Sequence, residues 1–174
     1  MDKQHRTHQY IRIAVLLFLL VLVVCIGVVS WRAYRLSRMP VPERIQDQLD
    51  FLVLYPSVAD DVVVDKGSMK YDASTGVLSF IVQTYGVANT ITQQATPESF
   101  NDIPQYYTKT VERMNGYSSF DSAIGRVDLT RPSDLGGDQI AVMNTKGVLL
   151  FAHPEKDLTQ SQWRKIFNNM EVVK

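Results

Sequence analysis

His153 is the only histidine between residues 41 and 174, and that stretch contains no cysteine. One imidazole is enough for a Ser-His-Asp relay, but no G-x-S-x-G elbow is present to hold a nucleophile. His153 directly precedes Pro154 at the end of an apolar run, so it reads as a partly exposed strand-end residue. Without cysteine, thiol catalysis and cysteine-ligated zinc are excluded from this part of the chain. Carboxylates gather twice: Asp60, Asp61 and Asp65, and then Asp134 and Asp138 around Leu135-Gly136-Gly137. Either group offers oxygens to a hard cation, yet neither has the spacing of a calcium loop, and turn aspartates commonly serve the local backbone. Gly136-Gly137 lacks the lysine and the strand-to-helix setting of a phosphate loop. Asn89-Thr90-Ile91 is not a glycosylation sequon. Glu98 and Glu112 read as ordinary exposed helix acids. No catalytic, cofactor-binding or metal-ligating residue is assigned, and the chain is not expected to be an enzyme.

The elements that would position these groups are mostly strands. Phe51 to Tyr55, Val62 to Val64 and Ser68 to Tyr71 precede a turn at residues 72–76, and Val77 to Thr84 alternates with Leu78, Phe80 and Val82 on the more apolar side. After Gly86, Val87, Asn89, Ile91 and Gln93 share one side of the next strand. Ser119 to Ile124, Arg126 to Thr130, Gln139 to Asn144 and Val148 to His153 follow, the last two joined at Thr145-Lys146-Gly147. Two helices are expected. One starts near Pro97 or Pro104 and runs to Met114, with Ile103, Tyr107, Val111 and Met114 on one face. The other has Thr159 as N-cap, Gln162 as capping-box partner and Leu158 stapled against Trp163; Trp163, Ile166, Phe167 and Met170 form its apolar stripe.

The run from Ile13 to Trp31 carries no ionisable head other than the thiol of Cys25. As one helix it is roughly 28 Å long, close to the ~30 Å of a bilayer core. Arg12 and Arg32 bound it, with Tyr10, Trp31 and Tyr34 at interfacial positions. It is longer than the apolar stretch of a cleaved signal, so an anchor is expected to be retained despite a passable cleavage pair at Val28 and Ser30. Cys25, preceded by Val24 within the run, reads as a small buried hydrophobe. Flanking charge does not orient the span, since Lys3, Arg6 and Arg12 face Arg32, Arg35 and Arg38. The short leading tail suits an uncleaved signal-anchor.

Residues 1–40 hold six Lys/Arg and one acid, whereas residues 41–174 hold twelve Lys/Arg and seventeen Asp/Glu, a net charge of −5. An acidic domain of this kind has no electrostatic footprint for nucleic acid.

The order of an apolar span, a Pro-containing linker, FLVLYPS, YDASTGVLSFIV, NTITQQATPESF, a helix, IGRVDL, QIAVMNTKGVLLFAHP and LTQSQWRKIFNNM resembles small membrane-anchored bacterial proteins of unknown function. The final forty residues resemble the carboxyl-terminal domain of some anti-sigma factors, with Met143 and Lys146-Gly147 standing where that pattern has tryptophan and an acidic-glycine turn. The resemblance implies an exported α+β domain and assigns no active site.

Four segments are therefore expected: a cytoplasmic tail at 1–12, a transmembrane helix at 13–31, a helix extension and linker at 32–48, and an extracytoplasmic domain at 49–174. The fold class is α+β, an antiparallel sheet with two helices packed on one face. The expected role is a non-catalytic binding or accessory module at the cell surface. Its partners are the bilayer, through residues 13–31, and a protein in or outside the membrane. A sensor signalling through the span is the alternative, though twelve leading residues are few for a folded sigma-binding unit; a hydrolase ranks below both.

Overall fold

The computed structural model describes residues 24, 26, 27, 40–57 and 61–173. The chain divides into two compact units, Met1–Met39 and Pro40–Lys174. In the first, Val24, Ile26 and Gly27 are helical; the rest of the 13–31 run and its flanks lie outside the described residues. Among the described residues no helix is long and apolar enough to cross a membrane.

The second unit is α+β. Its seven-stranded antiparallel sheet comprises β2 (Val62–Asp72), β3 (Val77–Thr84), β4 (Val87–Ala95), β5 (Gly116–Ser122), β6 (Gly125–Thr130), β7 (Ile140–Thr145) and β8 (Val148–Pro154). The spatial order is β2-β3-β4-β8-β7-β6-β5, which leaves β2 and β5 at the edges. β1 (Val53–Pro56) and β9 (Met170–Val173) make a separate antiparallel pair, with Val53 opposite Val173. The helices are α1 (Glu43–Gln46), α2 (Glu98–Asp102), α3 (Pro104–Arg113) and α4 (Gln160–Asn168).

Alternation divides the sheet into two unequal faces. On the first, Leu78, Phe80, Val82, Ile91, Val127, Met143, Leu150 and Ala152 are buried with Trp163, Ile166 and Phe167 of α4 and with Val53 and Leu54 of β1. Val41 and Ile45 join the same cluster along with Leu49, so residues 41 and 45, expected in the linker, contribute to the core. On the second face Ile140, Val142 and Leu149 meet Phe100, Tyr107 and Met114 from α2, α3 and the end of α3. The helices thus lie on opposite faces, which corrects the expectation that they share one. The reason is that β7 and β8 are apolar in both registers: Ala141 and Met143 face one side, Ile140 and Val142 the other.

α4 starts as its sequence requires. Thr159 accepts from the backbone of Gln162, and the Gln162 side chain accepts from Thr159 N at 2.8 Å, completing the capping box. Both expected starts are used: α2 begins after Pro97 and α3 at Pro104, and the two are separate helices because Ile103 between them leaves helical geometry at φ −133°.

Two buried glutamines fasten the layers. Gln93, 1% exposed, accepts from Leu54 N at 2.9 Å and donates to Leu54 O at 2.6 Å. Gln139 accepts from Leu158 N and Trp163 Nε1, both at 2.8 Å, and donates to Leu158 O and the Tyr117 hydroxyl. Gln93 takes the place of a strand neighbour for β1, and Gln139 satisfies the buried Leu158 backbone and the Trp163 indole N–H, groups that burial would otherwise leave unpaired.

Candidate functional site

The second face is only partly covered, and α3 leaves a hollow on either side of itself. Toward β4 and β8 lies a cleft of about 490 Å³ lined by Thr92, Met114, Asp138, Ile140, Phe151 and His153. Its floor is apolar because β4 and β8 pair with Thr92 opposite Phe151, while Ile140 of β7 lies beyond. Its polar rim is the pair of His153 and Asp138, Nε2 to Oδ2 at 3.6 Å, with side chains 49% and 65% exposed. At that distance the two side chains are not hydrogen-bonded, and the contact is a loose imidazole–carboxylate pair at the surface.

His153 therefore stands at a strand end, half exposed, beside an acid that was read as part of a separate turn. The signal was in the β7–β8 hairpin: with Ala141 opposite Ala152, counting outward brings residues just before Ile140 beside His153. Among the described residues no serine or threonine hydroxyl is hydrogen-bonded to His153, so the imidazole–carboxylate pair has no attached nucleophile.

The other carboxylates disperse. Asp61 pairs with Lys165, whose ammonium also lies over the Tyr85 ring. These contacts hold the Lys165 pKa above its ordinary value, the Asp61 hydrogen bond being the main cause. Asp65 accepts from Gly67 N at 2.9 Å and so serves a bulge in β2; Asp60 is outside the described residues. Asp134 sits in a single 3-10 turn, exposed, and the following Gly136 and Gly137 have φ of 75° and 78°, a left-handed pair that only glycine adopts without strain. Among the described residues no group of three or more His, Cys, Asp or Glu is placed to hold a metal ion.

On the far side of α3, toward β5 and β6, is a second hollow that no motif in the sequence marks. Its floor is a polar network: the Tyr107 hydroxyl donates to Asp128 Oδ2 at 2.9 Å, and Arg126 Nε donates to Asp128 Oδ1 at 3.0 Å. The Asp128 side chain is 7% exposed, while that of Arg126 is 66% exposed. Burial, then the charge of Asp128 and its hydrogen bond, push the Tyr107 phenol well above its ordinary pKa, with Arg126 opposing weakly. Tyr107 looked like one member of an apolar helix stripe; its hydroxyl partner comes from a strand 21 residues away.

Comparison of this chain with protein-family models, with curated proteins and with solved structures gave no match.

Proposed function

We propose that this chain is a single-span membrane protein whose acidic α+β domain lies outside the cytoplasm and binds a ligand without transforming it. The observation that carries the reading is the inequality of the two sheet faces. One is closed into the main core; the other keeps an apolar-floored cleft with one charged rim pair, of a size that suits a small molecule or a single large side chain. Chemistry would need a nucleophile joined to His153 or a metal set, and the cleft supplies an isolated imidazole–carboxylate pair instead. The uncharged run at 13–31 supports the anchor, and the net charge of −5 on residues 41–174 supports a domain held off anionic lipid. The resemblance to exported bacterial domains supports the orientation.

Two measurements test this. Protease added to intact spheroplasts should digest residues 41–174; protection until the membrane is broken would reverse the orientation. For the cleft, the full chain in lipid nanodiscs should be titrated with benzyl alcohol, benzylamine and benzoate while its amide spectrum is followed. Shifts centred on Thr92, Met114, Ile140, Phe151 and His153 for at least one probe are expected, and shifts for none of them would remove the cleft as a ligand site.

A further inference from the structure

The two edges of the seven-stranded sheet are built differently, and the difference points to a partner. β2 is an interrupted edge. Its register with β3 breaks between Asp65 and Lys70, Ser68 Oγ replaces a strand partner by accepting from Ile81 N at 2.8 Å, and Lys66 and Lys70 are exposed on it. Bulges and lysines of this kind keep another strand from adding. β5 has no such protection over Ser118–Ser122. There the pairing with β6 runs without a break from Ser118 opposite Leu129 to Ser122 opposite Gly125, and three of the five side chains are serine. Among the described residues nothing pairs with its outer side.

Beside this edge lies the second hollow, in two adjoining parts of about 290 and 390 Å³ that share Val111, Glu112, Arg126 and Asp128. α3 closes its upper end tightly, since a Cβ on Gly116 would come within 2.8 Å of Val111 Cγ1. An open strand edge with a helix-walled groove alongside is the arrangement in which an extended peptide adds as one more strand and sets alternate side chains into the groove. The charge of the groove chooses the peptide. Arg126 is committed to Asp128, whereas Glu112 on the helix wall and Asp121 on β5 have no ion-pair partner among the described residues. Asp121 lies directly across from Arg126 on the same sheet face as Ser119 and Asp128, and Arg126 Nε is hydrogen-bonded to Asp128 rather than to it.

We propose that the β5 edge and its groove bind an extended, lysine- or arginine-bearing segment of a partner protein, paired antiparallel or parallel to Ser118–Ser122, with basic side chains against Glu112 and Asp121. A second copy of this chain is the less suited occupant. It would bring another domain of net charge −5 and another Asp121 to the same edge. The site lies across α3 from the His153 cleft and does not depend on it.

The test uses the full chain in nanodiscs of neutral lipid and a capped heptapeptide alternating lysine and valine, with a glutamate–valine peptide as its counterpart. The lysine peptide should slow hydrogen exchange at alternate amides of Ser118–Ser122 and leave β2 unchanged. The double variant Glu112→Lys, Asp121→Lys should bind it at least tenfold more weakly and prefer the glutamate peptide, while Phe151→Ala in the cleft leaves both affinities as they were. Both reversed residues are exposed, so the fold should survive, as a thermal melt would verify. The proposal is overturned by protection spread over the acidic surface or absent from β5, or by equal binding to the reversed variant. Protection of β5 that grows with protein concentration and needs no peptide would assign the edge to a second copy instead.

Discussion

Gln93 and Leu54, 39 residues apart, exchange a closed pair of hydrogen bonds in which a side-chain amide pairs with the backbone of a strand. Leu54 is in turn opposite Val172 on its other side, so β1 is held between β9 and a single glutamine of the main sheet.

Gln93→Met keeps the length of the side chain but leaves Leu54 N–H and C=O buried without partners. Each such group costs about 1 to 3 kcal/mol, so urea unfolding should show a loss of roughly 2 to 5 kcal/mol with little change in slope. A loss below about 0.5 kcal/mol would mean that water or a backbone shift replaces the amide.

Trp163 is fully buried, lies beside a tilted Phe167 ring at 6.0 Å between centroids, and donates to Gln139. Trp163→Ala should cost about 3 to 5 kcal/mol, a large part of a typical total of 5 to 15 kcal/mol. Melts within a degree or two of the parent would mean that α4 does not dock as described. Trp163→Phe should fall between, since it restores much of the volume but leaves Gln139 Oε1 with one donor fewer.

Tyr107 should make the domain's stability fall at alkaline pH. A phenol whose folded pKa is raised contributes stability in its neutral form. That contribution is complete below the unfolded tyrosine value of about 10 and is lost as the pH climbs from there toward the folded value. Thermal melts of the parent should therefore fall more steeply above about pH 10 than those of Tyr107→Phe, which begins less stable at neutral pH because Asp128 loses a donor. Parallel curves for the two proteins would remove the Tyr107–Asp128 bond from the account.

His153→Gln should leave stability within about 0.5 kcal/mol of the parent, because both members of the Asp138 pair are largely exposed. Binding of the neutral probe benzyl alcohol should survive as well, since the apolar floor of the cleft is unchanged. A hydrolase screen that finds turnover in the parent and none in His153→Gln would replace the binding reading with an enzymatic one.

Much of this architecture was legible locally. Leu78, Phe80 and Val82 against Ser79 and Ile81 announced which face of β3 is buried, and Thr159 with Gln162 marked the start of α4 to the residue. Short periods and caps depend on neighbours a few positions away, which a sequence displays directly. What failed to show depends on distant neighbours. Gln93 was correctly grouped with Ile91 on one side of β4, but nothing near it names Leu54 as the backbone it serves. The two-sided burial of β7 and β8 was visible in the unbroken run Val148 to Phe151, yet choosing one helix for each face needed the sheet order. β9 is only four residues long, and the Asp138–His153 and Tyr107–Asp128 pairs arise from strand register rather than from any motif.

The pairing of β1 with β9 also sets the timing of folding. β1 is made well before its outer partner, since Val53 waits for Val173. During synthesis the strand has Gln93 available on one side as soon as β4 emerges, while the other side stays open until β9 follows. Closing so long a loop is entropically slow. A chain without β9 would thus keep the central sheet but present β1 as an unfinished, apolar edge, the form in which quality-control proteases and aggregation compete for a newly made protein.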